Sequence, residues 1–310
     1  MKVLVTGGAG YLGSVLVGHL LRREHRVTVL DNLLYGVQGL YHYCASDGFE
    51  FVRGDARDES TMRKLLAGHD VIIPLAGLVG MPACARDPLY ARSTNFEAIA
   101  LLNRLRSPSQ WVIYPCTNSG YGTKSGDVYC TEETPLEPIS LYGITKVEAE
   151  RLLLDSPNTV SLRLATVFGV SPRMRLDLLV NDFTYRALKD RFLVLYEKQF
   201  KRNYVHIEDV AGAFCYTIEN FENMKEEAYN VGLSDVNLNK EELAQLIKRY
   251  IPQLYIHAAE VGSDPDKRNY IISNAKIERK GFIAKHSLEE GIQQLIKAFR
   301  MMPSGAFVNY

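Results

Sequence analysis

The feature that most constrains the fold is a glycine-rich turn directly after a short apolar run. Residues 1–6 predict a buried strand, and Gly7, Gly10 and Gly13 follow, each three residues from the next. Glycines at this spacing permit a tight strand-to-helix turn and let a pyrophosphate approach the backbone. The helix predicted over Tyr11–Arg23 would point its free N–H groups at the phosphates. The turn therefore predicts a dinucleotide-binding site.

An acidic residue stands where such a site needs one. The apolar run Val27–Leu30 predicts a second strand, and Asp31 follows it, about 20 residues beyond the glycines. A carboxylate there accepts hydrogen bonds from the adenosine ribose, and its charge would repel a 2′-phosphate. These residues favour NAD over NADP. The alternative interpretation is a structural turn followed by a surface aspartate.

Strand and helix patterns alternate through the first half of the chain. Strands are predicted over Lys2–Thr6, Arg26–Asp31, Phe49–Arg53, Val71–Pro74, Trp111–Cys116 and Thr159–Leu164. Helices are predicted over Tyr11–Arg23, Glu59–Ala67, Pro88–Arg106 and Leu141–Leu154. This alternation predicts an α/β fold with a doubly wound parallel (Rossmann) sheet. Ligands then bind outside the carboxyl ends of the strands.

The pattern changes after about Gly169, where helices over Leu176–Lys189, Lys240–Tyr250 and Ser287–Met302 are separated by short strands and turns. We expect a smaller α/β substrate-binding lobe. The predicted dinucleotide domain covers 1–168, and Tyr204–Val231 adds back to its sheet, so that about 204–232 belongs to it. The lobe then covers 169–203 and 233–310.

Charge and cysteine content exclude several classes of function. Lysine plus arginine and aspartate plus glutamate both number 36, so neither a nucleic acid nor a membrane surface is an expected partner. The five cysteines are scattered and predict reduced thiols in a cytoplasmic protein. The first strand leaves no room for a signal peptide, and no apolar run is long enough to span a membrane. No metal site is expected.

A tyrosine and a lysine at helical spacing predict the reactive group. Tyr142 and Lys146 stand at i and i+4, on one face of the predicted helix. A cation near a phenol favours the phenolate, which lowers the pKa and makes a general base for an alcohol proton. Thr117, at the end of a predicted strand, adds a hydroxyl to the same edge. Together they predict acid–base chemistry at an alcohol beside the bound dinucleotide.

The chain resembles the extended short-chain dehydrogenase/reductase family of nucleotide-sugar epimerases and dehydratases. The motifs are TGGAGYLG at Thr6–Gly13, GDARD at Gly54–Asp58, LAGLVG at Leu75–Gly80, CTNSGYG at Cys116–Gly122, YGITK at Tyr142–Lys146, RLATVFG at Arg163–Gly169 and RNYVHIEDV at Arg202–Val210. The resemblance implies that Tyr142 is the catalytic base, that Lys146 positions NAD and that Thr117 hydrogen-bonds the reacting sugar oxygen. It also implies a homodimer formed through Pro88–Leu105 and Leu141–Leu154.

The expected ligand contacts follow from the motifs and the resemblance. For NAD they are Gly7, Gly10, Tyr11, Leu12, Gly13, Asp31, Asn32, Asp55, Ala56, Leu75, Ala76, Gly77, Asn95, Tyr142 and Lys146. For the nucleotide sugar they are Val79, Gly80, Asn118, Ser119, Thr166, Arg173, Arg175, Asn181, Arg202 and Arg268. Asp55 would contact adenine, and Arg202 and Arg268 would grip the diphosphate.

The two residues after Thr117 limit which of the family's reactions this chain can catalyse. Related 4,6-dehydratases carry Asp and then Glu at these two positions. At the second position, decarboxylating relatives carry Glu and 3,5-epimerase/reductases carry Cys. This chain has Asn118 and Ser119 instead. Of the reactions in this family, these residues leave removal of a hydride from a sugar carbon, which we expect to be C4. The string SPRMRLDLLVNDFTYRA resembles a bacterial subgroup that oxidises C4 of GDP-glycero-manno-heptose for surface polysaccharides. A 4-epimerase is the alternative, and a non-catalytic NAD-sensing or scaffold protein is the remote one.

Overall fold

The computed structural model describes residues 1–124, 129–260 and 268–302. The strands are β1 (Lys2–Thr6), β2 (Arg26–Asp31), β3 (Phe49–Arg53), β4 (Val71–Pro74), β5 (Trp111–Thr117), β6 (Tyr129–Cys130), β7 (Thr159–Leu164), β8 (Thr166–Phe168), β9 (Phe192–Leu195), β10 (Lys201–His206), β11 (Glu227–Val231), β12 (Asn237–Asn239), β13 (Tyr255–Ala258) and β14 (Ile271–Ile272). The helices are α1 (Gly13–Arg22), α2 (Glu59–Leu66), α3 (Met81–Arg86), α4 (Pro88–Arg92), α5 (Ala98–Leu105), α6 (Leu141–Leu154), α7 (Leu179–Lys189), α8 (Ile207–Glu219), α9 (Phe221–Met224), α10 (Lys240–Tyr250), α11 (Ala275–Arg279) and α12 (Leu288–Met301). Short 3₁₀ turns cover Gln38–Tyr43 and Asn118–Tyr121, and a π turn covers Ser93–Glu97.

A seven-stranded sheet organises the first part of the molecule. Its strand order is β11-β7-β5-β4-β1-β2-β3, and every pairing in it is parallel. Thr6 at the end of β1 lies opposite Leu30 on β2 and Pro74 on β4, so these strands end at one level. The predicted α/β fold with a parallel sheet is confirmed, and the residues after β1, β2 and β4 share one edge.

Helices cover both faces of this sheet. Val3 and Val5 of β1 pack into a core with α1 and α8, whereas Leu4 packs on the opposite face with α2, α5 and α6. This division follows from the strand period of two, which sends alternate side chains to opposite faces. Both faces of the sheet therefore carry an apolar core.

A second apolar core lies outside the large sheet. It joins α7, α10 and α12 through buried residues such as Val180, Leu243 and Ile292. A three-stranded sheet, β12-β10-β8, borders it. The expectation that the whole of Tyr204–Val231 adds back to the main sheet is wrong in part: β11 does so, but β10 pairs with β8 and β12. The domain limits themselves remain a prediction, and their end at residue 310 lies outside the described residues.

Two predicted helices differ from the observed elements where they border the candidate site. The pattern over Pro88–Arg106 forms α4 and α5 with the π turn between them, a distortion often found at functional sites. The helix predicted from Leu176 begins at Leu179, and the three preceding residues line the cavity at the carboxyl edge of the sheet. Among the described residues, no helix is both long and apolar enough to cross a membrane.

Candidate active site

A cavity of about 860 Å³ opens at the carboxyl edge of the large sheet and continues toward the second core. Most of the residues predicted from the sequence line it: Gly7, Gly10, Tyr11, Leu12, Gly13, Asp31, Asn32, Asp55, Ala56, Leu75, Ala76, Gly77, Val79, Gly80, Thr117, Ser119, Tyr142, Lys146, Thr166, Arg173, Arg175, Arg202 and Arg268. The fold therefore brings segments from the whole chain to one site. Asn95, Asn118 and Asn181 are not among the lining residues.

The glycines after β1 form a cradle that suits a pyrophosphate. Gly7 has φ +73°, and a Cβ added there would lie 2.5 Å from the Ala76 nitrogen. A Cβ on Gly13 would lie 2.5 Å from the Gly8 Cα, whereas one on Gly10 would meet only the Gly7 oxygen, at 3.2 Å. Two glycines thus close the turn and the third faces the cavity. Helix α1 has no side-chain cap and no acidic residue in its first turn, so its N–H groups suit an anionic ligand.

Asp31 is fixed at the end of β2 by the backbone of two loops. One carboxylate oxygen accepts a hydrogen bond from Ala9 N at 2.9 Å, and the other accepts one from Leu33 N at 2.7 Å. Burial raises the pKa of this carboxyl above its usual range, and both backbone hydrogen bonds oppose that shift. Each oxygen keeps a second lone pair for a ribose hydroxyl.

Asp55 is held by an arginine that sequence reasoning missed. Arg57 donates to both Asp55 oxygens, at 3.0 and 2.7 Å, and lowers the pKa of the carboxyl. The Arg57 guanidinium also lies over the Tyr90 ring, 4.6 Å from its centroid. The signal was present, since Arg57 stands two residues after Asp55 in GDARD. Tyr90 lines the cavity beside Asp55, and Arg57 supports both from behind.

The three predicted catalytic residues come from two elements. Thr117 ends β5 and caps the following 3₁₀ turn by accepting a hydrogen bond from Ser119 N at 3.1 Å. Tyr142 lies in the first turn of α6, which begins after the capping residue Ser140, and packs with Leu78 and Cys84. Lys146 follows one turn later. All of them line the cavity.

The cations that act on the Tyr142 phenol are not the one expected from the sequence. Burial raises the pKa of Tyr142 to about 12, and the cations that oppose this shift are Arg175 and Arg268. Lys146 is not among them: its Nζ lies over the Tyr114 ring, 4.1 Å from the centroid, and burial lowers its pKa to about 8. The expectation that Lys146 lowers the phenol pKa is therefore wrong in this structure. The i, i+4 spacing gives a shared face but not a charge contact.

A buried ion pair anchors the catalytic helix to the sheet. Glu150 on α6 accepts hydrogen bonds from Arg163 on β7, the shortest at 2.7 Å, and another from Ser161 at 2.5 Å. Glu150 is 1% exposed and Arg163 8%, so both charges are removed from water. Arg163 also donates to the Tyr121 hydroxyl at 3.1 Å. This network fixes α6, and with it Tyr142, against β7 and the turn after β5.

The three asparagines predicted as ligand contacts are buried behind the cavity. Asn95, in the π turn, accepts a hydrogen bond from Leu78 N at 2.8 Å and donates to Leu78 O at 2.9 Å. Asn181 is fully buried and donates to the backbone oxygen of Arg175 at 2.9 Å. Asn118 is 1% exposed. None of the three side chains lies on the cavity surface: Asn95 and Asn181 hold backbone segments that border it, and their direct ligand contacts remain predictions.

Several arginines line the cavity, among them Arg173, Arg175 and Arg202. Arg175 is paired with Asp177 through two hydrogen bonds, at 3.1 and 2.5 Å, and Asp177 was missed by sequence reasoning although it lies two residues away. Arg173 lies 4.4 Å from the centroid of the Tyr35 ring. Arg202 is 3% exposed and lies 5.7 Å from the centroid of the Tyr270 ring. Such planar cations suit a diphosphate.

Comparisons with known proteins agree with this geometry. Residues 3–232 match the model of the NAD dependent epimerase/dehydratase family. The chain is 29% identical over 309 residues to the low-salt glycan biosynthesis protein Agl12 of Haloferax volcanii, covering 96% of this chain and 97% of that protein. Because the family model spans most of the chain, the protein belongs to the NAD dependent epimerase/dehydratase family.

Two solved structures show the same architecture. UDP-glucose 4-epimerase of Thermotoga maritima, solved with UDP-glucose, has a TM-score of 0.86 and 26% identity, with 97% of this chain and 99% of that chain covered. UDP-glucose 4-epimerase of Thermus thermophilus, solved with NAD, has a TM-score of 0.81 and 25% identity at the same coverage. This protein is an NAD-dependent enzyme that acts on nucleotide sugars.

Proposed function

We propose that this enzyme oxidises C4 of a GDP-linked heptose to the 4-keto sugar, with Tyr142 as general base and Thr117 as a hydroxyl partner of the reacting oxygen. The observation that carries the proposal is the turn after β5, where Asn118 and Ser119 stand in place of an acid–base pair. Neither side chain eliminates water or assists decarboxylation at neutral pH. What remains is removal of a hydride and a proton from one secondary alcohol.

The residues of this chain suit that step. Bound NAD supplies the hydride acceptor at the nicotinamide ring. Tyr142 accepts the hydroxyl proton as the hydride leaves C4, and the positive charges of Arg175, Arg268 and the nicotinamide favour the phenolate. Lys146, one turn along α6, lines the same cavity and would hold the nicotinamide ribose. The guanidinium groups of Arg202 and Arg268 would bind the diphosphate and so orient the sugar.

A 4-epimerase is the second candidate. The UDP-glucose 4-epimerases of similar structure favour it, because the same base and hydroxyl suffice when the ketone turns in the site and is reduced on its other face. Incubation with GDP-glycero-manno-heptose and NAD, followed by mass spectrometry, separates the two. Loss of two hydrogens supports the dehydrogenase, whereas an unchanged mass with altered stereochemistry supports the epimerase.

We further propose a cytoplasmic enzyme of surface-polysaccharide synthesis that works as a homodimer. Leu89 on α4 is 84% exposed and Ile144 on α6 is 37% exposed, which supports pairing of these helices between two copies. Leu89→Glu should shift the light-scattering mass to that of a monomer. A monomeric wild-type protein would refute the dimer.

A further inference from the structure

The segment between β8 and α7, residues 169–177, borders the cavity but belongs to no helix or strand. It carries Arg173 and Arg175, two of the arginines expected to contact the nucleotide sugar. Among the described parts of the chain, no backbone–backbone hydrogen bond joins residues 170–177 to any other residue. The position of this segment therefore depends on hydrogen bonds that involve side chains.

Tyr11 holds the beginning of the segment against the glycine turn. Tyr11 follows Gly10 in that turn and is 7% exposed. Its hydroxyl donates to Gly169 O at 2.8 Å, and its carbonyl oxygen accepts from Ser171 Oγ at 2.7 Å. Ser171 Oγ also lies 3.0 Å from Ser14 Oγ on α1. The segment is thus fastened to the turn and the helix that are expected to hold the NAD pyrophosphate.

Asn181 connects the same tyrosine to the other end of the segment. Its amide nitrogen donates to the Tyr11 hydroxyl at 3.3 Å and to Arg175 O at 2.9 Å. Its amide oxygen accepts from Gly169 N at 3.1 Å. Because the Tyr11 hydroxyl bonds both Gly169 and Asn181, removing this one group would loosen the segment near both of its ends.

Arg173 ties the segment to a second part of the cofactor end. Its guanidinium lies 4.4 Å from the centroid of the Tyr35 ring, in the loop that follows Asp31, and Tyr35 also lines the cavity. Burial lowers the pKa of Arg173, and the charge of Arg175 adds to this shift. An anionic group bound in the cavity would offset this repulsion between two buried cations. The segment therefore presents positive charge to phosphate while it is fixed to the cofactor end.

We propose that Tyr11, Ser171 and Asn181 couple the two ligand sites: NAD bound at the glycine turn fixes residues 169–177, and the fixed segment binds the diphosphate of the nucleotide sugar more tightly. The first ligand to bind orders the segment, so the second ligand binds without that loss of entropy. Because such coupling is reciprocal, the diphosphate strengthens NAD binding by the same factor. The inference concerns the diphosphate alone, so it holds whichever sugar the enzyme takes.

Calorimetric titration tests the coupling directly. GDP, with UDP in parallel, is titrated into enzyme saturated with NAD and into enzyme freed of bound nucleotide. For the wild type we expect NAD to lower the Kd of the tighter-binding diphosphate by roughly 5- to 150-fold. Tyr11→Phe and Ser171→Ala each remove one hydroxyl of the network and should bring this factor close to unity.

The matched control is Tyr229→Phe, which removes a fully buried hydroxyl on β11, outside the network. It should keep the wild-type factor even where its Tm falls. A factor lost equally in Tyr229→Phe would overturn the proposal, because general loss of stability would then explain the effect. Equal Kd values with and without NAD in the wild type would also overturn it, and so would a wild-type factor in both network variants.

Release of NAD from the loaded enzyme gives a second measurement that needs no nucleotide-free protein. Saturating diphosphate should slow NAD release from the wild type and from Tyr229→Phe, and much less from Tyr11→Phe and Ser171→Ala. Release at one rate with and without diphosphate in the wild type would contradict the coupling. Neither measurement uses GDP-glycero-manno-heptose, so failure of that sugar as a substrate would refute the proposed function and leave this inference standing.

Discussion

The cofactor end and the sugar end of the cavity are built in different ways. At the cofactor end, glycines, backbone N–H groups and strand termini form the surface, and a Cβ added at Gly7 or Gly13 would collide with backbone. At the sugar end, pairs of side chains from distant segments form it, such as Arg268 with Ser119. The cofactor end is therefore damaged by adding atoms and the sugar end by removing them.

Removing the phenol oxygen should have the largest effect at the sugar end. Tyr142→Phe is expected to lower kcat by roughly 10²- to 10⁴-fold, because the base for the alcohol proton is lost. NAD affinity, measured by fluorescence titration, should stay close to that of the wild type. Turnover near the wild-type rate would remove Tyr142 from the mechanism.

Breaking the buried pair of Glu150 and Arg163, which anchors the catalytic helix, should lower the free energy of unfolding. Glu150→Gln leaves the Arg163 charge buried with weakened compensation, and such losses are about 3–5 kcal/mol. The matched control is Glu219→Gln, which removes an exposed partner of Arg23 and should change stability by less than about 1 kcal/mol. Urea unfolding measures both. Equal effects would show that the buried pair does not hold α6.

At the cofactor end, the effect of an added methyl group should depend on which glycine receives it. Gly13→Ala should destabilise the fold by about 1–3 kcal/mol, because its Cβ meets the Gly8 Cα at 2.5 Å. Gly10→Ala should keep nearly wild-type stability and lose NAD affinity instead, since its Cβ lies toward the cavity. Thermal unfolding and NAD titration give the two readouts. Similar behaviour of both variants would contradict the division of roles.

The smallest expected effect is the pH dependence that Lys146 contributes. Burial lowers its pKa to about 8, so between there and the ordinary lysine value the unfolded chain holds a proton that the folded chain lacks. The free energy of unfolding should therefore rise with pH between about 8 and the ordinary lysine pKa. Lys146→Met should remove the rise, by roughly 1–3 kcal/mol in urea unfolding. An unchanged pH profile would show that the Lys146 pKa is ordinary.

The difference between a cofactor end built from backbone and a sugar end built from side chains also explains which features the sequence could predict. The glycine turn, Asp31 and the strand ends follow from local periodicity, and the structure places them as expected. The contact of Arg268 with Ser119 spans 149 positions and has no local signal. The buried roles of Asn95 and Asn181 also depend on packing between segments, and so does the Tyr142 pKa. Backbone-built sites are predictable, whereas networks between remote side chains need the fold.

The most direct test of the central claim follows the hydride itself. The enzyme would be mixed for a single turnover with NAD and GDP-glycero-manno-heptose carrying deuterium at C4, and the nicotinamide recovered after denaturation would be analysed by mass spectrometry. Oxidation of this sugar at C4 should yield reduced nicotinamide that carries the deuterium. Reduced nicotinamide without deuterium, or no reduction at all, would contradict oxidation of this sugar at C4.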